Sequence, residues 1–333
     1  MRKDNFLSLW IAPLVLFLAA MVGCGGGGGG SDGGGGSAAP TDVASFGVVQ
    51  GFGSIIVNWV EFDTSGATFS KDDSIDGIDQ SHLRKGMMVT VHGSINNGGT
   101  GTAASVDYRD NFQGPISSID PAANSFVALG YTVIVDAATL FDDALTFDQL
   151  AVGDFVEVSG APDAEGNIRA TFIGKTDETC ATIQEIEVKG TVSNLNAAGK
   201  TFGIGSLTVD YSDADLSDLP SAPVDGLFVE VKSDVCPVGG TLVATRVEGE
   251  DEFGKFGEGE EGGYVEIQGI VTSVTSQTKF GLGSQPIRIT DQTQFVGLPS
   301  MQIVLNLQLE VEGTLENGLL LARKVIGSDF WGY

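Results

Sequence analysis

The stretch Val152-Gly153-Asp154-Phe155-Val156-Glu157-Val158-Ser159-Gly160 places a glycine before a strict alternation of apolar and polar residues. A period of two residues is typical of a β-strand with one buried face. The same pattern occurs at Gly86-x-x-Val89-x-Val91, Gly226-x-x-Val229-x-Val231 and Asn306-x-x-Leu309-x-Val311. Four copies of one strand pattern predict an internal repeat.

Three further landmarks accompany each copy in the same order. The first is a glycine two residues before a β-branched residue, at Gly47, Gly114, Gly190 and Gly269. The second is a turn that leads into an apolar strand, at 51–54, 129–132, 203–206 and 281–284. The last is an alanine three residues before Val or Ile, at Ala103, Ala170, Ala244 and Ala322. Because Gly47 and Gly51 are so close, the first copy is predicted to lack the turn and strand that separate these landmarks elsewhere.

Each copy holds about five short strands, and the helix-like insert near 142–150 is brief. We therefore predict an all-β protein made of tandem, small, five-stranded OB-like barrels, with small β-sandwiches as the alternative. The predicted repeats span 43–110, 111–178, 179–249 and 264–333. Residues 250–263 are predicted to form an acidic linker that its like charges keep extended.

The N-terminal residues have the layout of a secretory signal. Arg2 and Lys3 precede an apolar stretch that is interrupted by Pro13, and Met21-Val22-Gly23-Cys24 resembles the bacterial lipoprotein box. We predict a lipoprotein signal peptide at 1–23, lipidation of Cys24 and a flexible Gly-rich tether at 24–42. Gly25, instead of an aspartate, follows Cys24, which resembles the pattern that directs Gram-negative lipoproteins to the outer membrane. An ordinary signal peptide followed by a free cysteine is the alternative.

The repeats and the N-terminal layout together carry a family resemblance. The run at 51–58, the run at 152–160 and the lipoprotein box with its tether resemble the bacterial lipoproteins catalogued as domain of unknown function 5666. The resemblance covers 43–327 and implies a secreted β-protein built from repeats. It brings no catalytic or ligand-binding residue with it.

Charge and composition exclude several function classes. Asp and Glu outnumber Lys and Arg by 44 to 17, a net charge of −27 that disfavours nucleic acid and anionic lipid surfaces as partners. The two histidines, His82 and His92, fall short of a zinc set, and outside the Gly-rich tether no Gly-x-Ser-x-Gly motif is present. We expect no enzymatic activity and no cofactor, and an envelope enzyme with a site between repeats is the less favoured alternative.

Two groups of side chains are candidates for binding. Acidic loops offer carboxylates to Ca²⁺, with Asp213, Asp215 and Asp218 as candidate ligands, and solvated charge is the favoured alternative. Aromatic residues beside the repeated turns and near the C-terminus offer a binding surface, with packing between repeats as the alternative. These aromatic candidates are Phe52, Trp59, Tyr131 and Trp331.

The cysteines predict one disulfide. With Cys24 lipidated, Cys180 and Cys236 form an even pair in an exported chain, so we expect them to be joined, with Cα atoms roughly 5–6 Å apart. We expect a protein that is lipid-anchored at the outer membrane and faces the periplasm or the cell surface. It would act as a binding or scaffold module for an envelope protein or glycan, and Ca²⁺-dependent adhesion is the alternative.

Overall fold

The chain is organised almost entirely as β-strands. The computed structural model describes residues 41–327 except 72–76, 97–98, 144, 220, 254–261 and 299–301. In these residues the regular elements are 24 strands and two 3-10 helices, Gln80–His82 and Phe147–Gln149. The predicted all-β class is confirmed. The predicted signal peptide, Cys24 and the tether up to residue 40 lie outside the described residues.

The strands are grouped by repeat. Repeat 1 contains β1 (Thr41–Val48), β2 (Ile55–Val57), β3 (Val60–Asp63), β4 (Thr68–Lys71), β5 (Met88–Ile95) and β6 (Thr100–Tyr108). Repeat 2 contains β7 (Phe112–Asp120), β8 (Ser125–Ala128), β9 (Tyr131–Ile134), β10 (Leu140–Phe141), β11 (Phe155–Pro162) and β12 (Ile168–Thr176). Repeat 3 contains β13 (Ile186–Thr191), β14 (Ser193–Asn196), β15 (Thr201–Ile204), β16 (Leu207–Asp210), β17 (Phe228–Ser233), β18 (Thr241–Val243) and β19 (Arg246–Gly249). Repeat 4 contains β20 (Tyr264–Ser276), β21 (Lys279–Leu282), β22 (Gln285–Val296), β23 (Gln308–Glu316) and β24 (Leu319–Gly327).

In repeats 2 and 4 the strand pairings run in a ring. Repeat 4 pairs β20 with β21, β21 with β22, β22 with β24, β24 with β23, and β23 back to β20. Repeat 2 follows the same order through β7, β8, β9, β12 and β11. The third and last strands run parallel in both rings, and the other neighbours are antiparallel. A ring leaves no long edge for pairing with other chains.

Repeats 3 and 1 keep this order with interruptions. In repeat 3 the first and last strands each divide in two, so the pairings fall into the sets β13-β17-β19 and β14-β15-β16-β18. In repeat 1 the connection between β1 and β2 is reduced to a single bridge, Gly51 with Ile56.

Repeat 1 does not lack a turn and a strand, and that prediction is wrong. The segment Gly51-Phe52-Gly53-Ser54 connects β1 to β2, and β2 is followed by the turn Asn58-Trp59 and by β3. The run Ile55-Ile56-Val57 is thus the second strand of the repeat. An apolar, β-branched run suits the second strand and the third equally well, so the sequence alone assigned it to the wrong one.

The glycine or asparagine that precedes the alternating strand of each repeat occupies a backbone position with a positive φ angle. Gly86, Gly153 and Gly226 have φ angles of 93°, 91° and 90°, and Asn306, at the equivalent position of repeat 4, has 65°. Glycine reaches this region without steric cost, and asparagine tolerates it better than other residues with a Cβ. The residue types at this landmark therefore follow from one turn that all four repeats share.

The alanine landmark marks the core of the last strand in each repeat. Ala103, Ala170, Ala244 and Ala322 and the Val or Ile three residues after each of them are all buried. The cores do not coincide with the repeats, however. Repeats 2 and 3 share one apolar cluster, and Phe172 of repeat 2 belongs to the core of repeat 1.

Repeat 4 pairs with repeat 1. Strand β1 runs parallel to β20, with Val43 opposite Tyr264 and Phe46 opposite Ile267. Ala44, Phe46 and Val48 consequently join the apolar core of repeat 4. The first and last repeats of the chain are thus direct neighbours.

The start of the predicted acidic linker is packed into the folded body. Arg109 Nη1 donates to Glu250 Oε2 at 2.8 Å, and Thr90 Oγ1 donates to the backbone oxygen of Phe253 at 2.8 Å. The rings of Phe253 and Phe46 meet edge to face with centroids 5.1 Å apart. The prediction of an extended linker is therefore wrong for 250–253, because pairing and burial outweigh charge repulsion there. Residues 254–261 lie outside the described residues.

Candidate functional site

In each repeat a two-residue turn joins the second strand to the third, and we call these four turns the hairpin turns. They are Asn58-Trp59, Leu129-Gly130, Gly205-Ser206 and Gly283-Ser284. Both central residues have positive φ in repeats 1 and 2, whereas only the glycine does in repeats 3 and 4. Such angles match the twist of the paired strands and normally select glycine or asparagine.

In repeats 2, 3 and 4 the hairpin turns contact other parts of the chain. The backbone nitrogen and the hydroxyl of Ser206 both donate to Gly130 O at 2.9 Å, so the turns of repeats 2 and 3 bind each other. The backbone nitrogen of Ser284 donates to Glu252 Oε2 at 2.7 Å. The turns of repeats 2 and 3 thus join these two repeats, and the turn of repeat 4 binds the segment after β19.

The hairpin turn of repeat 1 instead presents a tryptophan to solvent. The side chain of Trp59 is 62% exposed, whereas its neighbour Asn58 is buried. Asn58 Nδ2 donates to Ser45 Oγ at 2.8 Å and to Phe46 O at 3.1 Å, and the Trp59 backbone nitrogen donates to Gln50 Oε1 at 3.0 Å. The turn is therefore tied to β1 and to the segment after it, which holds the indole outward.

Trp59 holds this position at a conformational cost. Its φ angle is 63°, in the left-handed region, where Gly130 stands at the equivalent position of repeat 2. A bulky residue in this region is uncommon, and such strain costs about 1–3 kcal/mol. Strained, exposed residues of this kind cluster at functional sites.

Of the other predicted aromatic residues, one is exposed and one is not. Phe52, in the segment between β1 and β2, is 41% exposed. Tyr131 stacks on Phe112, its hydroxyl donates to Lys189 O at 2.9 Å, and burial raises its pKa. Tyr131 therefore packs between repeats 2 and 3 instead of forming a free surface. Trp331 lies outside the described residues.

The predicted Ca²⁺ ligands share a loop, and two of the three are engaged in other contacts. Asp218 forms an ion pair with Arg246, and Asp215 Oδ1 accepts the backbone N–H of Ser217 at 3.0 Å. Asp213 is exposed. Within the described residues, no three His, Cys, Asp or Glu side chains are grouped so that they could hold a metal ion.

The predicted disulfide between Cys180 and Cys236 is confirmed. The two Cα atoms lie 5.6 Å apart, within the expected range. The bond ties the segment before β13 to the loop after β17 and so closes most of repeat 3.

A second feature is a cavity of about 350 Å³ where the four repeats meet. Met88, Tyr131, Lys189 and Ser284 each bring one repeat to its wall, and Glu252 joins them from the segment after β19. Burial raises the pKa of Glu252, and the hydrogen bond from Ser284 partly offsets this effect. The predicted sites did not include this cavity, since only the packing of distant repeats creates it.

Buried ion pairs lie beside the cavity and link three repeats. Lys189 Nζ lies 3.0 Å from Asp110 Oδ1 and 3.3 Å from Glu230 Oε1. Lys71 Nζ lies 3.2 Å from Asp110 Oδ2 and 3.1 Å from Glu157 Oε1. Although burial opposes its charge, these two lysines hold the pKa of Asp110 well below its usual range. A partner residue lost from this network would leave a buried charge uncompensated.

Repeat 4 contains a second buried group of carboxylates, which the sequence analysis did not single out. Burial and then the neighbouring carboxylate of Glu312 raise the pKa of Glu266 to about 7. Burial, followed by the charges of Glu266 and Glu312, raises the pKa of Glu310 to about 8. Lys324 Nζ, 2.7 Å from Glu312 Oε1, only partly compensates these charges.

In the part of the chain that the structure describes, no helix is both long and apolar enough to span a bilayer.

Comparisons with known proteins bear on the family and leave the function open. No curated protein matches the chain. One similar solved structure, "drosophila Unr CSD456", is 18% identical over 66% of this chain and 97% of that chain, with a TM-score of 0.18. A TM-score this low supports no conclusion about fold or function.

The comparison with protein-family models identifies the family of the chain. The family described as "Domain of unknown function (DUF5666)" matches four segments, 44–107, 113–174, 181–248 and 268–326, which together span more than half of the chain. The predicted internal repeat is thus confirmed as four copies of one domain. The chain belongs to the DUF5666 family.

Proposed function

We propose that this protein is a lipid-anchored, non-catalytic module of the bacterial cell envelope that binds glycans through the hairpin turn of repeat 1. The observation that carries the proposal is the exposure of Trp59 on a strained turn that is anchored on both sides. The three equivalent turns are used for contacts within the protein, which leaves this turn available for a ligand.

We also infer that each repeat is an OB-type unit. The ring order in repeats 2 and 4, with the last strand between the third and the fourth, supports this inference. OB folds bind oligosaccharides and oligonucleotides on the face of strands 2 and 3 and with the loop between strands 1 and 2. Phe52 lies in the loop between β1 and β2, and Trp59 lies in the turn that joins β2 to β3, so both belong to elements that form or adjoin the OB binding region.

The charge of the chain favours a neutral ligand. At a net charge of −27, a polyanion such as nucleic acid would be repelled, whereas a neutral sugar would not. The flat apolar face of an indole can stack on the C–H face of a pyranose ring, and its N–H can donate a hydrogen bond. We therefore favour a glycan over an envelope protein as the ligand.

Substitution of Trp59 tests the binding proposal. The full chain in detergent is titrated calorimetrically with a panel of neutral envelope oligosaccharides. We expect Trp59→Ala to weaken the binding by roughly tenfold or more, because the stacking contact is lost. Val238→Ala is the matched control, since Val238 is 82% exposed in repeat 3. Equal affinity in wild type and Trp59→Ala would rule out this site.

The anchor is tested at Cys24. We expect the Cys24→Ala protein to leave the membrane fraction, because the thiol that would carry the lipid is gone. Fractionation of cell extracts, with Cys180→Ser as the control that keeps Cys24, measures this directly. If Cys24→Ala protein still sediments with outer membranes like the parent protein, the lipid anchor is wrong.

A further inference from the structure

The wall of the cavity at the junction of the four repeats includes the carboxylate of Glu252, which has no cationic partner among the described residues. Glu252 lines the wall, and its Oε2 accepts a hydrogen bond of 2.7 Å from the Ser284 backbone nitrogen. Among the described residues, no Lys, Arg or His forms an ion pair with Glu252. The side chain of Glu252 is half-buried, and the partial removal of a carboxylate from water without a counter-charge is costly.

The cations that line the same cavity are committed to other carboxylates. Arg109 Nε lies 2.7 Å from Asp107 Oδ2, and its Nη1 lies 2.8 Å from Glu250 Oε2. Lys189 is paired with Asp110 and Glu230. These groups are therefore not available to compensate Glu252.

Aromatic side chains line the same cavity as this carboxylate. Phe46, Tyr131, Phe228 and Phe253 all contribute to the wall. A cavity that contains both a carboxylate and aromatic rings suits an organic ammonium ion. Such a cation can form an ion pair with the carboxylate and can lie over the face of an aromatic ring. A volume of about 350 Å³ is within the range of small-molecule sites.

We propose that this cavity is a binding site for a small organic cation, whose ammonium group pairs with Glu252. The site is separate from the hairpin turn of repeat 1 and does not depend on glycan binding there. The negative charge of the whole chain would raise the local concentration of such a ligand near the cavity.

Putrescine is the probe, and 1,4-butanediol, which has the same length without charge, is its matched neutral control. Calorimetric titration of the full chain in detergent is expected to show one putrescine bound per chain and no binding of the diol. We expect Glu252→Gln to weaken putrescine binding at least tenfold. The glutamine keeps an oxygen for the Ser284 N–H, so the wall is preserved.

Asp213→Asn is the control variant, because it makes the same change in net charge at an exposed position outside the cavity wall. It should leave putrescine affinity unchanged, as should Trp59→Ala. Unaltered binding in Glu252→Gln, no putrescine binding at all, or equal binding of diol and diamine would each overturn the proposal. The comparison of diol with diamine uses wild-type protein and holds even if Glu252→Gln fails to fold.

Discussion

At the scale of single residues, Trp59 and the residues at its equivalent positions show how one turn serves two purposes. Repeat 2 has Gly130 at this position, and the turns of repeats 3 and 4 place a serine there after a glycine. In those repeats the turn backbone makes contacts within the protein, between repeats 2 and 3 and between repeat 4 and Glu252. Repeat 1 accepts conformational strain at the same position and gains an exposed indole.

The buried carboxylates of repeat 4 predict a pH dependence at the same scale. Glu266 interacts with Glu312, Lys324 and the phenol of Tyr264, and Glu310 interacts with Glu266, Glu312 and Lys324. Because their pKa values are raised to about 7 and about 8, the folded state keeps protons that the unfolded state releases above about pH 4.5. The free energy of unfolding should therefore fall as the pH rises from 5 to 8, by on the order of 6 kcal/mol from these two groups, and level off above about pH 9.

Substitution of Glu310 isolates this contribution. Glu310→Gln mimics the protonated acid, so we expect higher stability than wild type at pH 8 and a shallower dependence between pH 5 and 8. Urea unfolding at several pH values measures both effects. Glu316→Gln, an exposed substitution on the same strand, should keep the wild-type dependence. A Glu310→Gln curve parallel to that of wild type would contradict the assignment.

At the scale of strands and turns, much of the organisation could be predicted from the sequence. The period-two alternation located β5, β11, β17 and β23, and the alanine landmark located the last strand of each repeat, because residues in paired strands face inward at fixed intervals. The register of repeat 1 could not be predicted. Its Ile55-Ile56-Val57 run is apolar throughout, and a strand without alternation does not reveal its neighbours.

At the same scale, the contribution of the disulfide to stability can be tested by removing the bond. Cys180 and Cys236 are 56 residues apart in the sequence, so their bond restricts the unfolded chain strongly. We expect reduction to lower the free energy of unfolding by about 4 kcal/mol in the chain-entropy model. Denaturant unfolding with and without reductant measures this loss. The Cys180→Ser/Cys236→Ser variant should be as unstable as the reduced protein and insensitive to reductant, and equal stability of all three forms would contradict the expectation.

At the scale of the whole molecule, the decisive contacts join residues that are far apart in the sequence. Ser45 Oγ donates to Glu266 Oε2 across 221 positions, and β1 pairs with β20. Nothing in the local pattern of either strand indicates that the first repeat will pair with the last. The cavity, and the role of Glu252 within a run that looks like an acidic linker, depend on these contacts and were therefore missed.

The phenylalanine and tryptophan of the proposed glycan site were both among the predicted surface residues, because aromatic side chains beside glycine-rich turns are visible in the sequence. The sequence could not show that Trp59 is exposed whereas Tyr131 is covered. Both lie at hairpin turns, and only the packing of repeat 3 against repeat 2 decides that Tyr131 is covered.

The measurement that tests the central claim most directly combines stability and glycan affinity in Trp59→Gly. Glycine suits a φ angle of 63°, so the variant should be more stable than wild type by about 1 kcal/mol. It should also lose glycan binding. Trp59→Ala keeps the strain, and so it should lose binding without the gain in stability. A Trp59→Gly protein that is more stable but no longer binds glycans would support the claim that Trp59 serves ligand binding at the expense of stability. A Trp59→Gly protein that binds glycans as wild type does would contradict the account.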